Sequence, residues 1–317
     1  MKAGSYSPTV HHTQLCEHIF AHSSSLYFQY QSYKNVFENV SYYVCKTTHL
    51  WYIAQMNLEE RLAKYLERDF SLEQAQILVL MEEAAIALFA ALPEHFVLFG
   101  GATLVLFHNS PRLSKDLDLL ARVDSLPSSG ELQSALEERV QEVAGIFGVG
   151  PLTFEPEQNG EQSLRLWIIG SRRQRLFTVD LTRIGGPVLI REIVEETIVL
   201  DESMVLIPSV SRNYQLLQKA ETFVSRRMVK TRDAFDMRLL LAEGAVLGKT
   251  LQAHLNDLMM WRELDAEQIN ERIEQITPKL CRAELKSVLP EEVYKRLEAE
   301  EFESLRAATR TVFGEWL

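Results

Sequence analysis

The sequence predicts an α+β fold, in which a mixed β-sheet with flanking helices is followed by a helical C-terminal lobe. Before Pro208, short apolar runs with the two-residue period of strands lie between segments of helical periodicity. From Ser209 to Leu317, the periodic segments have the 3.6-residue spacing of amphipathic helices. A chain of 317 residues can bury a large core. We therefore expect two lobes, over residues 56–208 and 209–317.

Residues 1–55 differ in composition from the rest of the chain. They contain seven of the ten tyrosines and five of the eight histidines, but only five charged side chains. From Met56 onward the sequence becomes amphipathic and rich in charge. We predict that residues 1–55 lie outside the main fold, either as an atypical, poorly ordered extension or as translated upstream sequence with Met56 as the natural start.

The first lobe combines helices with short strands. Apolar periodicity predicts the helices Met56–Arg68, Leu72–Leu92, Ala102–His108 and Ser129–Phe147. Alternating or continuous apolar runs predict the strands Phe96–Phe99, Lys115–Arg122, Leu152–Glu155, Ser163–Ile169, Leu176–Thr182, Thr197–Leu200 and Met204–Ile207. Pro208 is expected to end the last strand, because proline has no N–H group to donate to a neighbouring strand.

The second lobe is expected to be wholly helical. Its periodic segments are Ser211–Lys230, Arg232–Glu243, Thr250–Met260, Ala266–Ile276, Pro290–Glu300 and Phe302–Phe313.

The composition excludes several classes of protein. No uninterrupted apolar run reaches the roughly 18 residues of a membrane span, so we expect no membrane association. The three cysteines are scattered, which favours a reducing cytoplasm over a disulfide framework or a zinc site. The net charge of −11 means that any polyanion would have to bind to a local basic surface.

The strand with Asp116 and Asp118 carries the strongest functional signal. Side chains at positions i and i+2 of a strand point to one face, about 7 Å apart along the backbone. Two converging carboxylates repel each other and are costly to desolvate, and a divalent cation relieves both effects. Magnesium commonly binds one or two carboxylates together with substrate phosphates. The spacing therefore predicts phosphoryl or nucleotidyl transfer on Mg²⁺ or Mn²⁺.

A glycine pair, Gly100-Gly101, precedes this strand at a predicted strand-to-helix turn. Glycine permits a tight turn, and the N–H groups at the start of a helix can bind an anion. Ser114 shares the face of the two aspartates, where it either bonds a phosphate or a metal-bound water or ends the preceding turn. Arg112 either reaches a triphosphate or is solvated.

A third carboxylate is expected for a two-metal site. Asp180 is the best candidate, because it interrupts an apolar strand between Val179 and Leu181. A buried acid there needs a partner or a metal ion, whereas on an open sheet face it would need neither. In the first case Asp180 would share the metal site and help to position or deprotonate the attacking hydroxyl group.

A cationic segment begins the helical lobe. A helix over Ser211–Lys230 would place Lys219, Arg226 and Lys230 along one line, as a surface for a triphosphate or an RNA backbone or as a solvated face. Asp233 and Asp236, one turn apart, either orient these cations or form exposed pairs.

Arg172, Arg173 and Arg175 form a second basic cluster, in a predicted hairpin turn. They are either a nucleic-acid contact or part of a solvated loop.

These motifs resemble a known family. FGG at 99–101, DLD at 116–118 and VDL at 179–181 resemble the three-carboxylate signature of DNA polymerase β-like nucleotidyltransferases. More narrowly, GGATLVLFHNSPRLSKDLDLL resembles the first motif of the AbiEii/AbiGii and MenT group of bacterial nucleotidyltransferase toxins. KAETFVSRRMVKTRDAFDMRLLL, over Lys219–Leu241, is similar to that group's second signature. The resemblance covers roughly Met56–Gly244, and neither the first 55 nor the last seventy residues contribute to it.

The resemblance implies transfer of a nucleoside monophosphate from an NTP to a hydroxyl group, with loss of pyrophosphate. By the same resemblance, Asp116 and Asp118 would bind Mg²⁺, and the Gly100-Gly101 turn with Ser114 would hold the triphosphate. Lys219 or its rival Lys230 would neutralise developing charge.

Further implications of the resemblance are that Asp233 would orient Lys219 or the nucleotide, that the acceptor is the 3′ end of a tRNA, and that an antitoxin is a partner. The alternatives are modification of a small molecule such as an antibiotic, and a non-catalytic nucleotide-binding module on the same fold.

Overall fold

The architecture is that of a computed structural model, which describes residues 50–93, 95–121, 126–158, 163–183, 192–200, 203–314 and 316. Contacts divide the chain into two units, Met1–Gln55 and Met56–Leu317, and apart from the first residues of one helix the second unit contains everything discussed below. Residues 1–49 of the predicted extension lie outside the described residues, so that interpretation stays a prediction, as does the boundary between lobes at residue 208.

A seven-stranded mixed sheet forms the first half of the second unit. Its strands are β1 (Phe96–Phe99), β2 (Asp116–Ala121), β3 (Thr153–Gln158), β4 (Ser163–Ile169), β5 (Arg175–Arg183), β6 (Ile193–Leu200) and β7 (Ser203–Val210). They lie in the order β3-β4-β5-β2-β1-β7-β6. The pairs β2–β5 and β1–β7 are parallel, and the other neighbours are antiparallel. The predicted α+β class with a mixed sheet is confirmed.

Eleven helices lie within the described residues. Four come before or between the strands, namely α1 (Leu50–Leu66), α2 (Leu72–Ala91), α3 (Gly100–Phe107) and α4 (Ser129–Ile146). Seven follow the sheet, namely α5 (Arg212–Ser225), α6 (Thr231–Ala242), α7 (Lys249–Trp261), α8 (Ala266–Glu274), α9 (Pro278–Leu285), α10 (Glu291–Ala299) and α11 (Glu303–Val312). The helices after the sheet share one hydrophobic core, which Leu104 of α3 joins.

Helix α2 is the central helix of the first half. Ser71 caps it through a reciprocal pair of bonds with Gln74. By length and composition alone, α2 is apolar enough to cross a membrane, but most of it is buried inside the fold. It packs against α4, β5 and β7, as expected of a core helix in a large domain.

Strand β7 and helix α5 both end at residues other than those that the sequence predicts. Strand β7 continues through Pro208 to Val210. Helix α5 ends at Ser225 and does not run to Lys230, because Arg226 is extended and Arg272 of α8 donates hydrogen bonds to the carbonyl oxygens of Phe223 and Arg226.

Helix α9 is absent from the predicted elements, although its start has a local signal. Thr277 caps it by accepting a hydrogen bond from the N–H of Leu280, and Pro278 occupies its first turn.

A buried charge network ties α1 to α2 and α4. Arg61, only 7% exposed, bonds to Glu82 at 2.8 Å and also to Glu83. Tyr65 donates to Glu82, and Arg139 of α4 pairs with Glu83. Two adjacent carboxylates can therefore stay buried in an otherwise apolar helix, because each has a cationic partner.

We predict that Arg61→Ala lowers the free energy of unfolding by about 3–5 kcal/mol, since it leaves two buried carboxylates with too little compensation. Urea titration followed by circular dichroism measures this loss. Lys295→Ala is the control and should change stability little, because the pairs of Lys295 with Glu291 and Glu292 are exposed and screened by solvent. Equal losses in the two variants would contradict the assignment.

Candidate functional site

The three predicted carboxylates lie on neighbouring strands. In the parallel pairing of β2 with β5, Asp118 is opposite Asp180, and Asp116 is opposite Thr178. Residues that are paired in register point to the same face of a sheet, so all three carboxylates share one face. The intervening residues Leu117 and Val179 are fully buried, which fixes the register and with it the side that the acids face.

Asp116 and Asp118 have different surroundings. The Thr178 hydroxyl donates a hydrogen bond of 3.0 Å to Asp116. Burial raises the pKa of Asp118 to about 7, and the charges of Asp116 and Asp180 act in the same direction, while Lys219 opposes them. The protein therefore holds Asp118 where its ionised form is disfavoured unless additional positive charge is present.

Asp180 has a protein partner, which the sequence did not predict. Arg165 of β4 lies opposite it in register and binds both carboxylate oxygens, at 2.7 and 2.6 Å. Such bidentate pairs are strong and geometrically specific. The alternation of exposed and buried residues along β4 was the available signal for Arg165, but sequence alone could not show that β4 and β5 pair at this register.

The donor set fits a hard divalent cation held by two carboxylates. Asp116 and Asp118 converge on one face, and the raised pKa of Asp118 is the electrostatic cost that a cation would remove. Because Arg165 occupies both oxygens of Asp180, that residue fits less well as a third ligand. Within the described part of the chain, no group of three or more His, Cys, Asp or Glu side chains is arranged to hold a metal ion.

The glycine pair packs directly against these acids. Gly100 has a φ of +75°, and a Cβ atom added to it would lie closer than 3.0 Å to a carboxylate oxygen of Asp118. A Cβ atom on Gly101 would lie 2.5 Å from the Ser114 hydroxyl and 2.9 Å from Arg112. The turn thus needs glycine at both positions, since any side chain would displace the polar groups that line the site.

Asp236 of α6 joins the basic residues of the site. It is fully buried and accepts two hydrogen bonds of 2.8 Å from Arg112 and one contact of 2.8 Å from Lys219. Burial would raise the pKa of Asp236, but Arg112 and Lys219 together hold it below its usual range. The sequence left Asp236 undecided between orienting these cations and forming exposed pairs.

Asp233 is also buried, but its partner is different. Burial raises its pKa, and the nearest cation paired with it is Arg226, at 3.4 Å. Its carboxylate oxygen Oδ2 has no hydrogen-bond donor. Lys219 therefore forms its ion pair with Asp236 and not with Asp233. This differs from the expectation that Asp233 orients Lys219.

Lys230 does not lie in line with Lys219, because α5 ends before it. It precedes α6 and bonds to Glu284 of α9 at 2.8 Å. The same carboxylate accepts hydrogen bonds from the N–H and hydroxyl groups of Thr231, at 2.8 and 3.0 Å. Glu284 thus supplies the cap at the start of α6 that Lys230 itself does not provide.

A cleft of about 690 Å³ opens beside Asp116. Ser114, Arg112 and Lys230 line it, together with residues at the start of α2 and residues around Glu284. This volume suits a small-molecule ligand. A ligand in the cleft would therefore lie beside Asp116.

Comparisons with known proteins agree with these features. The family model described as nucleotidyl transferase AbiEii toxin, type IV toxin–antitoxin system, matches residues 84–311. The match extends far beyond Gly244, into C-terminal helices that the sequence-based resemblance did not include. No curated protein sequence matches the chain.

Comparison with solved structures finds a match with a TM-score of 0.50 and weaker matches below it. A crystal structure of a proposed nucleotidyltransferase from H. pylori has a TM-score of 0.50 and 16% identity, over 78% of this chain and 97% of that chain. JHP933 from Helicobacter pylori has a TM-score of 0.42 and 15% identity, over 78% and 94%. MenT4, a nucleotidyltransferase toxin from Mycobacterium tuberculosis H37Rv, has a TM-score of 0.38 and 15% identity, over 68% and 70%.

We predict that Gly100→Ala lowers the free energy of unfolding by at least about 2 kcal/mol, because it adds left-handed backbone strain and a clash with Asp118. Gly145→Ala is the matched control, since a Cβ atom there meets nothing within 4 Å and α4 should gain up to about 1 kcal/mol. Thermal and urea unfolding distinguish the two variants. An unchanged free energy of unfolding in Gly100→Ala would refute the close packing of Gly100 against Asp118.

A second prediction concerns pH. The unfolded chain releases the Asp118 proton near pH 4, whereas the folded protein holds it to about pH 7. Stability without metal should therefore fall as pH rises through this interval, because the folded state binds more protons. In EDTA at pH 8, the free energy of unfolding of Asp118→Asn should rise relative to that of the wild type by up to roughly 4 kcal/mol. This figure corresponds to about 1.4 kcal/mol per pKa unit. Parallel stability curves for the two proteins would exclude the raised pKa.

Proposed function

Because this chain belongs to the AbiEii nucleotidyltransferase toxin family of type IV toxin–antitoxin systems, we propose that it transfers a nucleoside monophosphate from an NTP to a hydroxyl group. The observation that carries the proposal is the shared face of Asp116, Asp118 and Asp180, beside a glycine turn and a cleft. The acceptor oxygen bonds to the α-phosphorus of the NTP, the bond from that phosphorus to the bridging oxygen breaks, and pyrophosphate leaves with it.

Asp116 and Asp118 are the proposed ligands of Mg²⁺ or Mn²⁺. When bound, the cation supplies charge neutralisation for the phosphates and the leaving group. The protein's contribution is to hold two carboxylates rigidly on β2, with Asp116 oriented by Thr178. Positioning and electrostatic stabilisation are the main requirements of phosphoryl-group chemistry.

The cleft beside Asp116 is the proposed NTP site. The backbone at Gly100-Gly101 and the hydroxyl group of Ser114 would bind the triphosphate at the start of α3. Lys219, fixed by Asp236, would neutralise the charge that develops on the phosphates. We favour Lys219 over Lys230, because Lys219 acts electrostatically on Asp118 whereas Lys230 is bound to Glu284.

The remaining candidates support the nucleotide indirectly. Arg112 is committed to Asp236 and would hold the phosphate side of the cleft in place, with Lys230 on its opposite wall. Asp233, buried beside Arg226, would orient the nucleotide.

Asp180 would position the attacking hydroxyl group and share in its deprotonation. Its bidentate pair with Arg165 fixes its orientation. The proposed acceptor is the 3′ end of a tRNA in the cytoplasm. The proposed protein partner is a cognate antitoxin, since the family consists of toxins from type IV toxin–antitoxin systems.

The direct test is incubation of the protein with each of the four α-labelled NTPs, Mg²⁺ or Mn²⁺, and total RNA. Label that enters tRNA only with divalent cation, and not with EDTA, supports the proposal. Label that enters an added aminoglycoside instead would point to a small-molecule acceptor. The absence of transfer under all conditions would exclude the enzymatic function.

We predict that Asp116→Ala reduces transfer by at least about 100-fold, because the loss of a metal ligand removes several kcal/mol of transition-state stabilisation. Unfolding should change little, since Asp116 is only partly buried. Asp257→Ala, an exposed change on α7, is the matched control and should retain full activity. Undiminished turnover by Asp116→Ala would refute the assignment.

A further inference from the structure

The outer part of the sheet carries an arginine–tryptophan surface, of which the proposed reaction uses only Arg165, to orient Asp180. It consists of Arg165 and Trp167 on β4, Arg172 and Arg173 in the following turn, and Arg175 at the start of β5. The guanidinium carbon of Arg175 lies 4.0 Å from the centre of the Trp167 ring, and that of Arg165 lies 5.3 Å from it. Trp167 is half-buried, and the three arginines at 172, 173 and 175 are exposed.

This surface is continuous with the carboxylates. Trp167 is opposite Thr178 on β5, and Thr178 is opposite Asp116 on β2. All three therefore point to the same face of the sheet. Two strand spacings of about 4.8 Å separate Trp167 from Asp116, roughly 10 Å in total.

The local charge is opposite to that of the whole chain. Arg165 and Arg175 contact the Trp167 ring, and Arg172 and Arg173 lie in the turn between β4 and β5, against Glu155 and Glu157 on β3 and Asp180 on β5. Glu157 accepts a hydrogen bond of 2.9 Å from the indole N–H of Trp167, which fixes the ring orientation. A net charge of −11 repels polyanions elsewhere, so a phosphate backbone would be drawn to this surface.

The turn that presents the arginines is well ordered by hydrogen bonds. The N–H of Gly170 donates to the carbonyl oxygen of Gln174 at 2.9 Å, and the N–H of Ser171 donates to Val149 at 2.9 Å. Rigid presentation of cationic groups reduces the entropy that is lost when a ligand binds.

We propose that this arginine–tryptophan surface binds the unpaired 3′ segment of an RNA acceptor, so that its terminal hydroxyl group reaches the carboxylates. Unpaired bases stack on aromatic rings and on guanidinium planes, whereas a duplex hides these faces. The roughly 10 Å to Asp116 corresponds to about three stacked nucleotides, at about 3.4 Å each. This inference rests on the proposed nucleotidyl transfer, because it concerns the acceptor of that reaction.

The test measures RNA binding without NTP, so that no turnover is needed. Fluorescence anisotropy compares a labelled 12-nucleotide single-stranded RNA with a blunt duplex of the same sequence. The single strand should bind more tightly, and Trp167→Ala should weaken its binding by roughly 5- to 100-fold, the effect of removing one stacked base. Trp167→Phe keeps an aromatic face and should restore most of the affinity.

A second variant avoids any change in the sheet. Arg172→Gln with Arg173→Asn alters only the exposed turn, and asparagine tolerates the φ of 59° at position 173. It should reduce the slope of log affinity against log salt by about 0.7 for each RNA phosphate that the variant no longer neutralises. Arg296→Ala, exposed on α10, is the control and should change neither the affinity nor the slope.

The outcomes separate the two proposals. Equal RNA binding by the wild type, Trp167→Ala and the turn variant would overturn the surface, even if transfer to RNA occurs. Tighter binding of the duplex than of the single strand would also overturn it. Weakened single-strand binding in both variants supports the RNA-binding surface. If the protein then transfers no nucleoside monophosphate to any RNA, only the proposed reaction fails.

Discussion

One carboxylate, that of Asp236, holds together the two parts of the chain that build the site. Arg112 comes from the loop before β2, Lys219 from α5, and Asp236 from α6, and all three are buried or nearly so. Two cations can be kept this close to the acidic face only because an ionised group compensates them, and removal of that group would leave them buried and unpaired. Asp236 is bound to Arg112 across 124 residues of sequence. The position of Lys219 relative to Asp118 therefore depends on this pair, because Lys219 binds the same carboxylate.

The sheet face shows the same balance of opposite charges on a larger scale. Asp116, Asp118 and Asp180 would repel one another if they were left alone. Arg165 binds both carboxylate oxygens of Asp180, whereas Asp118 has only partial compensation and an elevated pKa. The unbalanced part of the negative charge thus lies on β2, beside the glycine turn and the cleft. This asymmetry is the physical reason to assign the cation to Asp116 and Asp118 and to give Asp180 a role toward the acceptor.

Local sequence patterns predicted much of the fold and only part of the site. Period-two alternation located β4 at its observed bounds, and the apolar run before Gly100 located β1. The proposed family was also identified from the motifs, and the family match confirms it. The end of α5 could not be predicted, because Arg272 stops the helix from a distant segment. The pairing of Arg165 with Asp180 could not be predicted either, because sequence periodicity does not specify which strands pair or at which register.

The long sequence separation between Arg112 and its partner has a consequence for synthesis. A ribosome that has made only the first 208 residues has already made all three carboxylates, but not Lys219, Asp236 or Glu284. The backbone N–H of Leu113, next to Arg112, must also wait for the carbonyl oxygen of Val288. A nascent chain of this protein therefore lacks the contacts around Arg112 and Lys219 until the segment through Val288 has been made and packed.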